Sequence, residues 1–329
     1  MKRFAIIGCG NIAKKHAANI ARVGRLVATC DVVEQRADDL AGEYNVTAYY
    51  TIEDLLAGEK ALDVIAVCTP NGYHAEHIIK SLQAGYNVLT EKPMCLTTAA
   101  AWQIIETEKF CRKKLFVVKS SRYNEVLEQV KALIDRNALG KLYSFNLNCV
   151  WSRPDGYYTD WRGTLFPDGG TLYTQFSHYI DAMLWLFGDV EEIKGFKANT
   201  AHQKSIAFED TGTAALRLKN GMLGSLHWSV NALKKNAEIG LTIIAEKGTI
   251  RIGGEYLQKL MYAEIEHDIF EFGNAEEQQE ADKSSRTNHD KIYTHLTQVL
   301  ESGQSYFPGA HEGLKTVETI EKIYKAVSL

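Results

Sequence analysis

The sequence predicts an α/β protein in two parts: a doubly wound parallel sheet over residues 1–119, then an α+β domain with a large open, mainly antiparallel sheet over residues 120–329. Three observations predict it. A glycine-rich turn, Gly8-Cys9-Gly10, joins an apolar strand to a helix near the N-terminus. Short apolar strands then alternate with helical stretches to residue 118, the rhythm of parallel strands with crossover helices. Beyond that point strands come in pairs separated by tight turns such as Asn220-Gly221, which marks antiparallel hairpins. A chain of 329 residues also exceeds one ordinary core, so two domains are expected.

The first strand, 3–7, runs into Gly8-Cys9-Gly10-Asn11-Ile12-Ala13 and a helix to about residue 23. In this GxGxxA pattern Gly8 permits the tight turn, Gly10 lets the backbone approach a pyrophosphate, and Ala13 lets the helix pack closely on the strand. The free N–H groups at the helix N-terminus, around Asn11 and Ile12, would receive that pyrophosphate. A second strand, 25–30, ends at Asp31, 21 residues beyond Gly10, where a carboxylate hydrogen-bonds adenosine ribose hydroxyls. The same carboxylate repels a 2′-phosphate, so NAD is expected rather than NADP; Arg36, close by, argues the other way.

A helix near 52–57 precedes the strand 63–69, then Pro70-Asn71-Gly72-Tyr73-His74 and a helix to about residue 84. The strand 86–90 ends at Glu91-Lys92-Pro93, and a helix over about 97–113 and a strand over 115–118 complete the run. Ligands of such sheets lie beyond the carboxyl ends of the strands. That rule puts Gly8, Asp31, Thr69, Pro70, Asn71, His74 and Lys92 on one rim. A lysine there can project toward the nicotinamide end, and Pro93 restricts its backbone to extended or turn conformations. His74 reads as a helix cap, a cofactor-lining residue or a catalyst.

In the second part a helix near 125–136 leads to the strand 142–151, a polar, aromatic segment over 152–170 and a helix over 171–188. Strands follow at 190–198, 211–220, 222–230, 238–246 and 248–254, then helices over about 288–301 and 310–327. On the helix 171–188, Gln175, His178 and Asp181 are spaced by three and share a face. Hydride transfer from an alcohol needs a group to accept the hydroxyl proton, which makes His178 the candidate base.

Composition narrows the classes. An apolar content of 45%, a charged content of 24% and a net charge of −4 describe a soluble globular protein with no reason to approach nucleic acid or an anionic membrane. The cysteines at 9, 30, 68, 95, 111 and 149 form no CxxC or paired Cys/His spacing, so no metal is expected; they read as small hydrophobes of a reducing compartment, the cytoplasm. The N-terminus breaks into glycine too early for a signal peptide, and no apolar run approaches the roughly 18 residues of a membrane span.

Taken together, GCGNIA (8–13), Asp31, CTPNGYH (68–74), EKP (91–93) and GGTLYTQFSHYID (169–181) resemble the Gfo/Idh/MocA family of sugar and inositol oxidoreductases. The resemblance implies a Rossmann domain followed by an α/β domain, hydride transfer at a sugar or cyclitol carbon, and homodimers or homotetramers through the second domain's sheet. It implies that Lys92 is the active-site lysine and His178 the catalytic histidine. Glu91, Lys92 and Gln175 then join Gly8, Gly10, Asn11, Ile12, Asp31, Thr69, Pro70, Asn71 and His74 around the cofactor. Where the family often has Asp or Asn four residues before the histidine, this chain has Thr174.

Within the family, the run from Arg153 through Tyr157-Tyr158, Trp161-Arg162, Asp168-Gly169-Gly170 and Gln175 to His178 is most similar to bacterial enzymes that oxidise C3 of UDP-N-acetylglucosaminuronic acid. Those enzymes hand a 3-keto sugar to an aminotransferase in surface-polysaccharide synthesis. This resemblance implies a substrate site of Lys92, Arg153, Tyr157, Tyr158, Trp161, Arg162, Thr174, Gln175 and His178. Residue chemistry agrees in kind, since aromatic rings stack on sugar or uracil faces and arginine grips a carboxylate or diphosphate bidentately. Two other readings stay open: a dehydrogenase of a free sugar or inositol, and a non-catalytic NAD-bound sensor.

Overall fold

The computed structural model describes residues 1–266, 288–303 and 306–328. The chain divides into two compact units, Met1–Lys119 with His289–Val317, and Ser120–Asn288 with Glu318–Leu329. The expected second domain, 120–329, is therefore not one continuous segment: residues 289–317 return to the first unit.

The first unit holds a six-stranded parallel sheet of β1 (Lys2–Ile7), β2 (Gly24–Cys30), β3 (Thr47–Tyr49), β4 (Val64–Val67), β5 (Asn87–Thr90) and β6 (Leu115–Val117), in the order β3-β2-β1-β4-β5-β6. Its helices are α1 (Asn11–Val23), α2 (Glu34–Tyr44), α3 (Ile52–Gly58), α4 (His74–Gln83) and α5 (Thr98–Cys111). The central strands read as unbroken apolar runs because helices cover both faces of a parallel sheet. Phe4, Ala5, Ile6 and Val64 through Val67 are fully buried. Strand order reverses between β1 and β4, the position at which such sheets bind ligands beyond their carboxyl ends. Two elements, α2 and β3, were not expected. In α2 only Ala37, Leu40 and Ala41 are buried, and β3 is three residues of intermediate or exposed character, so neither carries an apolar signal.

The second unit opens with α6 (Glu125–Asp135), whose first turn is capped by the Asn124 side chain accepting the Val126 and Leu127 N–H groups. Its sheet has eight strands: β7 (Leu142–Val150), β8 (Val190–Ala198), β9 (Thr211–Leu218), β10 (Leu223–Ser229), β11 (Glu238–Ala245), β12 (Gly248–Gly253), β13 (Lys259–Ile265) and β14 (Val327–Ser328). Their order is β13-β12-β11-β7-β10-β9-β8-β14, antiparallel except for the pairs β7–β10 and β8–β14. The hairpins expected at Asn220-Gly221 and Glu246-Lys247-Gly248 join β9 to β10 and β11 to β12. One face is packed: Phe145, Leu147 and Cys149 of β7 alternate with half-buried polar neighbours, and Phe145 stacks on Phe187 of α7 (Ser177–Phe187) at 5.0 Å. Two further helices, α8 (His289–Ser302) and α9 (Ala310–Ala326), follow. No helix among the described residues is long and apolar enough to cross a membrane.

Candidate active site

In the first unit the chain leaves β1 through Gly8 at φ +89°. A Cβ there would lie 2.6 Å from the Thr69 amide nitrogen and 2.7 Å from the Cys68 carbonyl carbon, so both conformation and contact require glycine. Gly10 is different, because a Cβ there meets no protein atom within 4 Å. Packing does not demand glycine at that position, and the space beside it is open to an approaching ligand. The first turn of α1 has no side-chain cap; the Ala13 N–H donates to the Gly10 carbonyl at 3.0 Å, and the N–H groups of Asn11 and Ile12 are the ones suited to an anion. Asp31 stands beside this turn: its Oδ2 accepts the Cys9 N–H at 2.7 Å and its Oδ1 the Val33 N–H at 2.9 Å. Each oxygen keeps a second lone pair for a ribose hydroxyl. These residues fit NAD.

At the ends of β4 and β5, two of the expected cofactor residues have their side-chain polar atoms engaged within the protein. The ring of His74 is 1% exposed, and its Nδ1 and Nε2 each lie 2.7 Å from a backbone carbonyl oxygen, those of Pro93 and Thr69. Burial pulls its pKa down, while the two carbonyls and the Glu91 carboxylate oppose that pull. His74 thus joins the loops that follow β4 and β5. Glu91 is likewise buried, and its carboxylate is committed within the protein. Oε1 lies 2.9 Å from His16 Nε2 and 3.1 Å from His289 Nε2, and Oε2 accepts the Lys92 N–H at 3.1 Å. Burial acts to raise its pKa, but the hydrogen bonds from the two histidines outweigh it and hold the carboxyl well below the usual range. Lys92 itself is half-buried and precedes a cis peptide bond to Pro93. Thr69 contributes its hydroxyl to His77 Nδ1 at 3.0 Å.

In the second unit the helix expected over 171–188 is interrupted by a widened, π-type turn at Leu172–Phe176, a local insertion common at functional sites. The three residues expected on one face go to different partners. Gln175, 5% exposed, accepts the Arg153 Nε–H at 2.8 Å and donates to the Tyr157 hydroxyl at 2.9 Å. His178 is half-buried, with Nδ1 3.3 Å from Ser120 Oγ. Asp181 is buried and takes a bidentate pair from Arg122 at 2.8 and 2.9 Å, which anchors the helix. Thr174 donates its hydroxyl to the Asp168 carboxylate, which also accepts the Gly163 N–H at 2.8 Å; burial pushes the Asp168 carboxyl above its ordinary value.

The aromatic segment brings two arginines to one ring. The guanidinium carbons of Arg153 and Arg162 both lie 5.0 Å from the centre of Tyr157, and each also lies 4.8 Å from a tryptophan, Trp151 and Trp161 respectively. Asn236 Oδ1 accepts from Arg153 Nη1 at 3.0 Å. The Tyr158 ring packs edge-on against Tyr157 and His202, and its buried hydroxyl has no hydrogen-bond partner among the described residues. Ser120, Asn236 and the pair His16–His289 were missed, because each meets its partner across a long sequence separation that no local spacing encodes.

Residues 2–119 match the oxidoreductase family with an NAD-binding Rossmann fold, and residues 127–251 match the GFO/IDH/MocA C-terminal domain. The WlbA dehydrogenase from Bordetella pertussis, solved with NADH and UDP-GlcNAcA, superposes with a TM-score of 0.89 at 30% identity, covering 99% of this chain and 96% of that one. D-glucoside 3-dehydrogenase of Escherichia coli is 28% identical over 64% of this chain and 59% of its own length. An inositol 2-dehydrogenase/D-chiro-inositol 3-dehydrogenase of Halalkalibacterium halodurans is 26% identical over 75% of this chain and 70% of its own length. The chain belongs to the Gfo/Idh/MocA family of oxidoreductases, with an NAD-binding Rossmann domain at its N-terminus.

Proposed function

We propose that this protein is an NAD-dependent dehydrogenase that oxidises a ring hydroxyl, at C3, of a UDP-N-acetylhexosaminuronic acid to a keto sugar. The observation that carries this reading is the pair of guanidiniums at Tyr157, in a chain alike over 99% of its length to a dehydrogenase solved with UDP-GlcNAcA. A sugar acid linked to UDP offers one carboxylate and one diphosphate, and arginine is the side chain suited to both. The 3-keto product would be a substrate for an aminotransferase.

Bound NAD+ would supply the hydride acceptor. His178 takes the proton of the reacting hydroxyl, its ring oriented by Ser120. The family resemblance assigns to the Lys92 ammonium the stabilisation of negative charge that develops on a substrate oxygen. The first turn of α1 would hold the pyrophosphate and Asp31 the adenosine ribose. With six cysteines, none in a disulfide and five of them buried, a reducing cytoplasm suits the fold. Small side chains on the outward face of the second sheet, including Thr213, Ala215 and Ser225, suit pairing with further copies in a homodimer or homotetramer.

A second reading, a dehydrogenase of a free sugar or cyclitol, is supported by the likeness to the glucoside and inositol enzymes. A thermal-shift screen of NAD-loaded protein separates the two, because a ligand that binds only the native state raises the melting temperature. Stabilisation by UDP-sugar acids and not by free hexoses or inositols is expected; the reverse pattern would sink the nucleotide-sugar assignment.

A further inference from the structure

A buried carboxylate stays ionised only if its oxygens are hydrogen-bonded. Glu91 is 7% exposed and meets that condition through two distant residues, His16 of α1 and His289 of α8, and the main-chain N–H of its neighbour Lys92. The Glu91 carboxylate can only accept, so His16 carries a proton on Nε2, 2.9 Å from Oε1, and with the ring neutral its Nδ1 accepts the hydroxyl of a fourth residue, Tyr293, at 2.7 Å. The chain of bonds runs from Tyr293 through His16 to Glu91, is joined there by His289, and ends on the Lys92 backbone.

The ligand-type atoms of His16, Glu91 and His289 lie within 4.8 Å of one another, the grouping of a two-histidine, one-carboxylate metal site. Direct N···O contacts of 2.9 and 3.1 Å let the three pair with one another as hydrogen-bonded groups instead. His16 turns an N–H rather than a lone pair toward the carboxylate, and the His289 contact to the same oxygen also needs a donor. A metal ligand would need the opposite tautomer.

We propose that His16, Glu91 and His289 form a positioning unit that sets the backbone of Lys92 and ties it to the helix that receives the cofactor. All three are buried, so the unit acts through Lys92. The proposal rests on the reading of Lys92 as the active-site lysine. On the far side of that residue, His74 holds the Pro93 carbonyl, so both flanks of Lys92 are fixed.

His289→Leu removes one donor to Glu91, and His289→Gln restores a side-chain N–H. With UDP-N-acetylglucosaminuronic acid, or the sugar that the thermal-shift screen selects, His289→Leu should lower kcat by about tenfold to a hundredfold, the cost of a misplaced reacting group. NAD affinity, read by protein fluorescence, should stay within about twofold, and His289→Gln should recover most of kcat. Histidine 15N spectra of the protein alone should show His16 and His289 as Nε2–H tautomers at neutral pH, a readout that survives if the leucine variant fails to fold. Unchanged kcat in His289→Leu, Nδ1–H tautomers, or one equivalent of bound zinc would overturn the proposal. Lys92→Met, run in parallel, separates the two levels. If it keeps full turnover, the lysine assignment and this unit both fall; if it is dead while His289→Leu is unimpaired, only the unit falls.

Discussion

Tyr324 donates its hydroxyl proton to Oε1 of Glu209 at 2.8 Å, and the same Tyr324 oxygen accepts the Leu172 N–H at 2.9 Å, where the widened turn bearing Gln175 begins. Trp228 Nε1–H shares Glu209 Oε1 at 3.1 Å. Burial pushes the Glu209 carboxyl up to about 7, against the opposing hydrogen bonds.

Raising an acid's folded pKa makes the folded state hold a proton that the unfolded chain has released. The associated stability is complete below pH 4.5 and is lost as pH rises through about 7. At roughly 1.4 kcal/mol per pKa unit, the loss amounts to about 3 kcal/mol above pH 8. Glu209→Gln keeps the acceptor oxygen and removes the titration, so its melting temperature should exceed the wild type's at pH 8 and differ little at pH 5. An unaltered pH dependence in the variant would show that Glu209 does not titrate in this range.

Gly8 and Gly10 should separate folding from cofactor binding. Gly10→Ala meets no protein atom within 4 Å and has φ −74°, so stability without NAD should change by no more than about 0.5 kcal/mol. NAD affinity should nonetheless fall by about tenfold or more, because the methyl group occupies the approach to the helix N-terminus. Gly8→Ala, forced against Thr69 and Cys68, should lower the melting temperature outright. Calorimetry of both variants with and without NAD checks the pair.

Asp31→Ser should weaken NAD binding by about 1.5–3 kcal/mol, the range for hydrogen bonds to a charged group, and narrow the preference over NADP. Dissociation constants for both dinucleotides measure it. Equal losses for NAD and NADP would assign Asp31 to the Cys9 turn alone.

Arg153→Met and Arg162→Met should each raise KM for a UDP-sugar acid by about tenfold while leaving the KM for NAD within about twofold. Loss of Arg153 should cost more, because it also releases Gln175.

The parallel sheet was legible because strands covered on both faces read as unbroken apolar runs, and the glycine turn because its chemistry is local. Hairpins at Asn220-Gly221 and before Gly248 were legible for the same reason. The polar helix α2 and the short β3 carry no such signal. Hydrophobic periodicity cannot reveal a π-type turn, so Gln175, His178 and Asp181 were put on one face although their partners lie apart. Glu91 and His289 meet across 198 residues, and His16 and Glu91 across 75; nothing local says which sheet a late helix covers. The candidates Lys92 and His178 rest on residue chemistry and resemblance, whereas the contacts of Glu91 with its two histidines and of His178 with Ser120 are visible only in the folded chain.

The most direct measurement is NADH formation at 340 nm from NAD+ and UDP-N-acetylglucosaminuronic acid across pH, for the wild type, Lys92→Met and His178→Asn. Wild-type turnover is predicted, with kcat reduced at least about a hundredfold in each variant and the acidic limb of the profile abolished only in His178→Asn. Near-normal turnover in both variants, or wild-type activity on free hexoses or inositols with none on the nucleotide sugar, would contradict the account.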